Sequence, residues 1–292
     1  MDILKTPEAH SLRDVVLLQK THVPTGAAPD RRRRHAAAWG YSTADDAHPI
    51  SFWSEGSSTS AGVAVLVNPN SRLQDPQPWL VDRWTICFCT ITVRLSNKTI
   101  GIICTYGHRD EPTRNSLFAE LSSLETEVDF FLLGGDFNCT LHPSFDRSHA
   151  ATTTHHDSKE LSHSLVELDL VDCTAAEMVG CIDEKDLSQF HARHHTYVYR
   201  IGDTITATSR IDRWYVSRGS FAWVFSYGMI LAPGPSDHEG VLLRLADPAY
   251  SSRIKKEKRV YPPPVICCNA VQAACGDIID SFDTSRTGDL LS

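Results

Sequence analysis

Short apolar runs rich in β-branched residues recur along the chain, and their length and composition are typical of β-strands. Eight such runs predict strands at residues 14–18, 62–67, 85–93, 99–105, 130–133, 211–216, 224–230 and 241–245. Some of these runs follow one another directly, whereas others are separated by segments with a helical pattern. The chain is therefore predicted to contain layered sheets covered by helices, in an α/β fold rather than a strict βαβ repeat.

Two segments between the strands have the 3.6-residue period of amphipathic helices. The first opens at Pro112, because proline is favoured in the first turn of a helix. Its apolar face consists of Leu117, Phe118, Leu121 and Leu124. For the second helix we expect Asp157 to act as the N-cap and Glu160 to complete a capping box. Its apolar face consists of Leu161, Leu165 and Leu168.

The strand pattern stops after Asp247, which predicts one domain over residues 1–247 and a tail over residues 248–292. The tail begins with a basic stretch at 253–259 and continues into Tyr261-Pro262-Pro263-Pro264. Consecutive prolines continue neither a helix nor a central strand. We interpret residues 248–292 as a basic and Pro-rich linker or tail.

Composition narrows the classes of function. The 292 residues include 28 Lys and Arg against 36 Asp and Glu, a net charge of −8, so the chain as a whole does not attract DNA as a basic protein does. Contact with DNA would then be local or bridged by a metal ion. No segment has the roughly 18 apolar residues of a membrane span, which predicts a soluble, intracellular protein. The nine cysteines form no CxxC pair, which argues for reduced thiols rather than structural zinc.

The most informative segment is Gly134-Gly135-Asp136-Phe137-Asn138, which follows the apolar run at 130–133. Residues two apart on an extended backbone share a face, so Asp136 and Asn138 can point into one cleft. They would supply a charged and a neutral polar group there. The alternative interpretation is an Asx turn that closes the strand.

Two further acids and a histidine stand beside predicted strands. Asp237 and His238 shortly precede the strand at 241–245, and an adjacent carboxylate and imidazole can serve a metal and a phosphate together. Asp212 lies within the strand at 211–216, where apolar neighbours mean that a carboxylate needs a partner. We predict that His238 is this partner, in an orienting Asp–imidazole pair.

In combination, these motifs resemble the endonuclease/exonuclease/phosphatase superfamily. Gly-Gly-Asp-Phe-Asn, then Asp146-Arg147-Ser148, then Ser-Arg-Ile-Asp-Arg-Trp-Tyr-Val-Ser and Ser-Asp-His look most like the endonuclease domain of non-LTR (LINE-type) retrotransposons. The resemblance covers residues 14–246. It implies a four-layered α/β sandwich, in which helices flank two packed β-sheets.

The resemblance also implies a role for each candidate residue. Asp136 would orient or deprotonate the attacking water, and Asn138 would contact the scissile phosphate. Asp237 would help to hold Mg²⁺. His238, oriented by Asp212, would contact the phosphate or transfer a proton.

Three departures from the family pattern bear on activity. The family places a Tyr against the phosphate after the strand that corresponds to residues 99–105, and Tyr106 stands there, although the usual Tyr-Ala-Pro reads Tyr106-Gly107-His108. The family's principal metal ligand is the Glu of Leu-Gln-Glu-Thr-His, and Lys20 stands in its place. An ammonium cannot coordinate Mg²⁺ and adds positive charge where the metal would lie. The family's first strand also lacks a counterpart, because 13 residues precede Asp14, so the domain is expected to be truncated.

The resulting hypothesis is a Mg²⁺-dependent endonuclease, with Mn²⁺ as the alternative ion, that hydrolyses a DNA phosphodiester bond to leave a 3′-hydroxyl. Lys20 predicts loss of this nicking activity. The partners would be DNA and, in a longer ancestral chain, a reverse transcriptase domain, and the protein would work in the nucleus if its substrate is chromosomal DNA. Two alternatives stay open: a catalytically silent remnant that binds nucleic acid, and a phosphatase of the same fold.

Two other polar clusters have less specific interpretations. His191, His194 and His195 have no Cys or acid partners at zinc spacing, so we expect loop histidines that face water. The four arginines at 31–34 are either a solvated loop or a contact to the DNA backbone.

Overall fold

The computed structural model describes residues 14–41, 49–57, 61–124, 127–149, 157–178, 183–202, 204–231 and 236–249. The strands are β1 (Val15–Gln19), β2 (Ser51–Trp53), β3 (Val63–Val67), β4 (Gln74–Pro78), β5 (Phe88–Leu95), β6 (Lys98–Tyr106), β7 (Phe130–Asp136), β8 (Leu170–Asp172), β9 (Tyr197–Ile201), β10 (Ile205–Ser209), β11 (Asp212–Ser217), β12 (Val224–Ile230) and β13 (Gly240–Leu245). The helices are α1 (Ala28–Ala38), α2 (Glu111–Ser122), α3 (Pro143–Asp146), α4 (Lys159–Glu167) and α5 (Glu184–Ala192). The segment before Asp14, and the predicted tail beyond its first two residues, lie outside the described residues.

The largest sheet has the strand order β4-β5-β6-β7-β11-β8. Its central pair, β6 and β7, is parallel, and its other pairs are antiparallel. Helix α2 connects β6 to β7, since parallel neighbours need a crossover. Both central strands are almost wholly apolar and buried, as expected of strands that are covered on both faces.

A second, antiparallel sheet has the order β1-β3-β2. It packs on the first sheet, with β1 against β6 and β7 and with β3 against β5 and β6. Along β3 the side chains alternate between two cores, as the period of a strand requires. Val63, Val65 and Val67 belong to the main core, whereas Ala64 and Leu66 belong to a smaller core that includes Ala28 at the start of α1.

Helices complete the layers. Helices α2 and α4 pack on each other and place Leu117, Phe118, Leu121, Leu161 and Leu165 in the main core. The hairpins β9–β10 and β12–β13 form separate two-stranded sheets, and β13 packs against β11. The predicted α/β sandwich of packed sheets flanked by helices is confirmed.

All eight predicted strands are present, with ends that differ from prediction by at most three residues. The apolar pattern did not predict β2, β4, β8, β9, β10 or helices α1, α3 and α5. Strand β4 shows why: its sequence Gln-Asp-Pro-Gln-Pro is mostly exposed at the edge of the large sheet. An edge strand of this kind needs no apolar alternation and tolerates proline.

The cap of α4 differs from prediction. The hydroxyl oxygen of Ser158 accepts the N–H of Leu161 at 3.0 Å, so Ser158 is the N-cap. The Asp157 carboxylate instead binds the guanidinium of Arg147 at 2.5 Å and the hydroxyl of Thr140 at 2.7 Å. The predicted capping box of Asp157 and Glu160 is therefore wrong, because a buried arginine engages the carboxylate.

The histidines near residue 191 also differ from prediction. His191 and His194 are buried, and His195 bonds through both ring nitrogens, to the hydroxyl of Thr208 and to the carbonyl oxygen of Phe145. Burial lowers the pKa of all three imidazoles. They are packed, neutral side chains and not loop histidines that face water.

The arginine run and the cysteines have structural roles or positions that need no special function. The arginines at 31–34 lie on α1, mostly exposed, and two of them pair with Asp30. The cysteines described in the structure, at positions 87, 89, 104, 139 and 173, are free and buried. Within the described ranges, no helix is long and apolar enough to cross a membrane.

Candidate active site

Three polar side chains meet at the same end of three neighbouring strands in the six-stranded sheet, because these strands end or begin there. Strand β6 ends at Tyr106, β7 ends at Asp136, and β11 begins at Asp212. Tyr106 is in register with Asp136 across the parallel pair, and Asp136 is in register with Asp212 across the antiparallel pair. Side chains in register lie beside each other on one face, so the three form a row.

Asn138 folds back onto the buried Asp136. Its backbone N–H donates to Oδ1 of Asp136 at 2.9 Å, and its Nδ2 donates to Oδ2 of Asp136 at 3.2 Å. Nδ2 also donates to the carbonyl oxygen of Gly107 at 2.7 Å. These contacts are those of an Asx turn that closes β7 and holds the Asp136 carboxylate in place, and the phosphate contact of Asn138 stays a prediction.

Steric crowding explains why a glycine follows Tyr106. A Cβ at position 107 would lie 2.1 Å from the backbone oxygen of Phe137, which no larger residue could accept without moving the backbone. The N–H of Gly107 donates to the backbone oxygen of Asp136 at 2.7 Å. The departure from Tyr-Ala-Pro thus allows close contact between the segments that follow β6 and β7.

His238 and Asp212 form the predicted pair. Nδ1 of His238 lies 2.8 Å from Oδ2 of Asp212. Burial by itself would lower the pKa of His238, but the bond to Asp212 outweighs burial and raises that pKa above its usual value. The ring is therefore oriented by Asp212 and stabilised in its charged form.

Thr196 supports this pair, and the sequence pattern did not reveal it. Its hydroxyl oxygen accepts the N–H of Asp212 at 3.1 Å and the N–H of Ile211 at 3.2 Å. Its backbone oxygen accepts the N–H of Glu239 at 2.7 Å, next to His238. In the sequence, Thr196 is a single threonine just before β9, and it belongs to no distinctive motif.

Lys20 enters the centre from the second sheet. It follows β1, which packs on β6 and β7, and its Nζ lies 3.1 Å from Oδ2 of Asp136. The ammonium is also 5.2 Å from the centre of the Tyr106 ring. Burial would lower the pKa of Lys20, but Asp136 raises it, so Lys20 is charged at neutral pH.

The carboxylate of Asp136 titrates abnormally. Burial and the negative charge of Asp212 raise its pKa to about 6, against the opposing effect of Lys20 and His238. It is therefore ionised at neutral pH but is a stronger base than an ordinary aspartate. Tyr106 has a raised pKa, mainly through burial, so its hydroxyl keeps its proton and can donate it.

Asp136, Asp212 and His238 are the group in the described part of the chain that could hold a metal, with ligand atoms within 4.8 Å of one another. Their donor set does not fit a divalent ion. Asp136 already receives two bonds from Asn138 and the Lys20 ammonium, and Asp212 is paired with His238. Mg²⁺ needs near-octahedral oxygen ligands, and here it would lie beside a fixed positive charge.

Asp237 is not a member of this group. Its side chain is exposed, and its backbone oxygen accepts the N–H of Val198 at 3.0 Å. The structure therefore brings together Tyr106, Asp136, Asn138, Asp212, His238 and Lys20, and it leaves the metal-binding role of Asp237 a prediction. Arg109, which the sequence pattern did not single out, is exposed and close enough to affect the pKa of Lys20 and Tyr106.

The Asp146-Arg147-Ser148 motif has a buried structural role behind the centre. Oδ2 of Asp146 accepts the N–H groups of Leu141 and His142 and pairs with Arg213 at 2.9 Å. Arg213 also donates to the backbone oxygen of Cys139 at 2.9 Å. Since Arg213 follows Asp212 and Cys139 follows Asn138, this pair fixes the two polar segments relative to each other.

Comparisons with known proteins agree with this architecture. The sequence model described as the Endonuclease/Exonuclease/phosphatase family matches residues 1–238. The 3′ phosphatase NExo from Neisseria, bound to a product DNA hairpin, matches with a TM-score of 0.56 and 19% identity, over 84% of this chain and 91% of that one. An AP endonuclease from Archaeoglobus fulgidus matches with a TM-score of 0.54 and 15% identity, over 80% and 88% of the two chains.

A weaker match concerns the subfamily suggested by the motifs. The endonuclease domain of TRAS1, a telomere-specific non-LTR retrotransposon, matches with a TM-score of 0.47 and 15% identity, over 75% of this chain and 93% of that one. This score is too low to support an inference. The comparison with curated proteins gave no match. At these identities the structural likenesses establish the fold.

Proposed function

This chain belongs to the endonuclease/exonuclease/phosphatase family, and on that premise we propose that its centre binds DNA and hydrolyses a phosphodiester bond to leave a 3′-hydroxyl. The observation that carries the proposal is the His238–Asp212 pair, bonded at 2.8 Å, beside the buried base Asp136. A base and an oriented acid close to each other are what this hydrolysis requires.

Asp136 acts as the base and His238 as the acid. Asp136 takes a proton from water while the water oxygen forms a bond to phosphorus. The bond between phosphorus and the 3′ oxygen breaks, and protonated His238 supplies the proton that converts this oxygen to a hydroxyl. The pKa of about 6 keeps Asp136 ionised at neutral pH. The bond to Asp212 raises the pKa of His238 and so favours the protonated form that an acid needs.

The other side chains hold the phosphate or the base. Both Nδ2 hydrogens of Asn138 point at oxygens of the protein, so we assign Asn138 to the positioning of Asp136. The hydroxyl of Tyr106 and the ammonium of Lys20 would donate to phosphate oxygens. Arg109 adds an exposed positive charge beside them. These local cations could attract DNA phosphates although the chain as a whole has a net charge of −8.

We assign no step of this reaction to the divalent metal ion that the family uses. Family nucleases generally depend on a divalent metal, but the donor set around Asp136 does not fit one. We therefore propose that hydrolysis here is slow and insensitive to chelation, since a metal normally contributes several kcal/mol to charge stabilisation in the transition state.

The experiment is a nicking assay on supercoiled plasmid at high protein concentration. We expect wild-type protein to produce nicked circles, and Asp136→Asn and His238→Gln to reduce the rate by about 100-fold or more, since a general acid or base contributes about that much. His163→Gln is the matched control, because this histidine is 72% exposed on α4 and should leave the rate unchanged. A DNA polymerase should extend the nick directly from its 3′-hydroxyl.

Two results would overturn the proposal. One is nicking that His238→Gln and Asp136→Asn leave intact, which would place the activity in a contaminant. The other is retention of DNA on the wild-type protein with no nicking at any concentration, which would identify a nucleic-acid-binding domain instead of a hydrolase.

A further inference from the structure

We propose that Lys20 is the resident cation of this centre, so that the protein binds a DNA phosphate without a divalent metal. The proposal rests on the proposed function only for the identity of the ligand, the phosphodiester backbone of DNA. It adds that the chain has exchanged a bound metal ion for a covalently attached ammonium group.

The first argument is the pairing of charges. Two carboxylates meet here, and each has its own partner: Lys20 lies 3.1 Å from Asp136, and His238 lies 2.8 Å from Asp212. Each carboxylate is therefore engaged by a protein group before any ligand arrives. A divalent ion would have to displace Lys20 from Asp136 or share the carboxylate with it.

The second argument is that the ammonium is held in place. The N–H of Thr21, the next residue, donates to the backbone oxygen of Gly62 at 3.0 Å, which fixes the chain just after β1. The Lys20 side chain is 30% exposed, whereas that of Asp136 is 3% exposed. The ammonium thus lies between a buried carboxylate and solvent, with the Tyr106 ring beside it at 5.2 Å.

The third argument is the chemistry of the ligand. A lysine ammonium is a compact point charge with three donors, and it binds phosphate in many proteins. One donor points to Asp136, so others can bind a phosphate oxygen that approaches from solvent. Tyr106 keeps its hydroxyl proton and can donate to the same group. Lys20 and Tyr106 therefore offer hydrogen-bond donors to an anion, whereas the positive charge of Lys20 would repel a second cation.

The metal part of the test uses no DNA and no cleavage. Mn²⁺ binding is measured by electron paramagnetic resonance for wild type, Lys20→Glu and the matched control Lys98→Glu. Lys98 pairs with Asp129 at 2.7 Å and begins β6, the strand that ends at Tyr106. We expect saturable Mn²⁺ binding in Lys20→Glu alone, because only this change adds a carboxylate to Asp136 and Asp212.

The DNA part of the test measures binding of a labelled duplex by fluorescence anisotropy, in EDTA or in Mg²⁺ at equal ionic strength. We expect the wild-type Kd to be no lower in Mg²⁺ than in EDTA, since Mg²⁺ competes with protein cations for the DNA phosphates. We expect Lys20→Gln to weaken binding about tenfold in both buffers, because one cationic phosphate contact is lost. Circular dichroism establishes that each variant is folded, and Lys20→Gln keeps the test valid if Lys20→Glu does not fold.

The proposal is overturned if wild-type protein binds Mn²⁺ saturably and Asp136→Asn abolishes this binding. It is also overturned if wild-type affinity for the duplex needs Mg²⁺. Failure of the proposed hydrolysis looks different, because absent nicking would leave the metal and DNA affinities as stated here.

Discussion

Two clusters of opposite charges lie around the start of β11, and they differ in their access to solvent. In the inner cluster, Asp146 pairs with Arg213 and Arg210, whose side chains are at most 3% exposed. In the outer cluster, the partners of the two carboxylates, Lys20 and His238, are 30% and 17% exposed. Asp212 and Arg213 are consecutive, so they point to opposite faces of β11 and assign one cluster to each face.

The comparison shows how one kind of interaction can serve two purposes. The inner charges pair with one another inside the protein, and removing Asp146 would leave buried Arg213 without its ion-pair partner. In the outer cluster the carboxylate of Asp136 is buried, but its partner Lys20 faces solvent. The inner cluster therefore holds the fold in register, and the outer cluster keeps donors free for a ligand.

The largest expected effect comes from breaking the inner cluster with Asp146→Ala. The change removes the ion-pair partner of buried Arg213 and the acceptor of two backbone N–H groups, whereas Arg210 keeps its pair with Asp172. We therefore expect the free energy of unfolding to fall by about 3–5 kcal/mol. Chemical denaturation measures this difference. The control is Asp30→Ala, whose ion pairs on α1 are 54% or more exposed and should contribute about 1 kcal/mol or less. Equal effects of the two changes would contradict the distinction between the clusters.

A smaller effect is expected when acid protonates Asp146 and weakens the inner cluster. Burial would raise the pKa of Asp146, but Arg213 and Arg210 lower it from 3.8 to about 2. A lowered carboxyl pKa contributes stability above the unfolded value of 3.8 and loses it as the pH falls towards about 2. We expect wild type to lose about 2 kcal/mol more than Asp146→Asn over this range. Parallel pH profiles of the two proteins would contradict this account.

The smallest effect concerns the outer cluster and the pKa of His238. Asp212→Asn removes the charge that raises this pKa, so burial should then lower it. The ring proton signals of His238, followed by NMR across the pH range, measure the change directly. Asp169→Asn is a control, because Asp169 forms an exposed pair with Arg218. An unchanged His238 titration in Asp212→Asn would show that the pair does not set the charge of the imidazole.

Much of the fold was predictable because its central strands are buried on both faces. The apolar runs that became β6 and β7 have no other stable place than the interior. Strand β4 was not predictable, because an exposed edge strand has no apolar pattern. The cap of α4 was mispredicted because Asp157 and Ser158 are both good N-caps, and only the tertiary contact with Arg147 decides between them.

The candidate site was predictable where sequence neighbours supply it. Asp136 and Asn138 are two residues apart, and their contact follows from local geometry. The Asp212–His238 pair was predictable because a carboxylate in an apolar strand needs a partner. The contact of Lys20 with Asp136 joins two different sheets, and only the family resemblance, not a local pattern, pointed to Lys20 at this centre. Thr196 was missed for the same reason, because its bonds to β11 are tertiary.

The most direct test of the central claim, that Lys20 replaces the metal ion, is the rate of plasmid nicking by wild type and by Lys20→Glu, with Mg²⁺ and with EDTA. The account predicts slow nicking by wild type that EDTA does not change. It predicts nicking by Lys20→Glu that is at least about 100-fold faster with Mg²⁺ and lost in EDTA, as a metal contribution of several kcal/mol implies. Fast nicking by wild type that EDTA abolishes would contradict it.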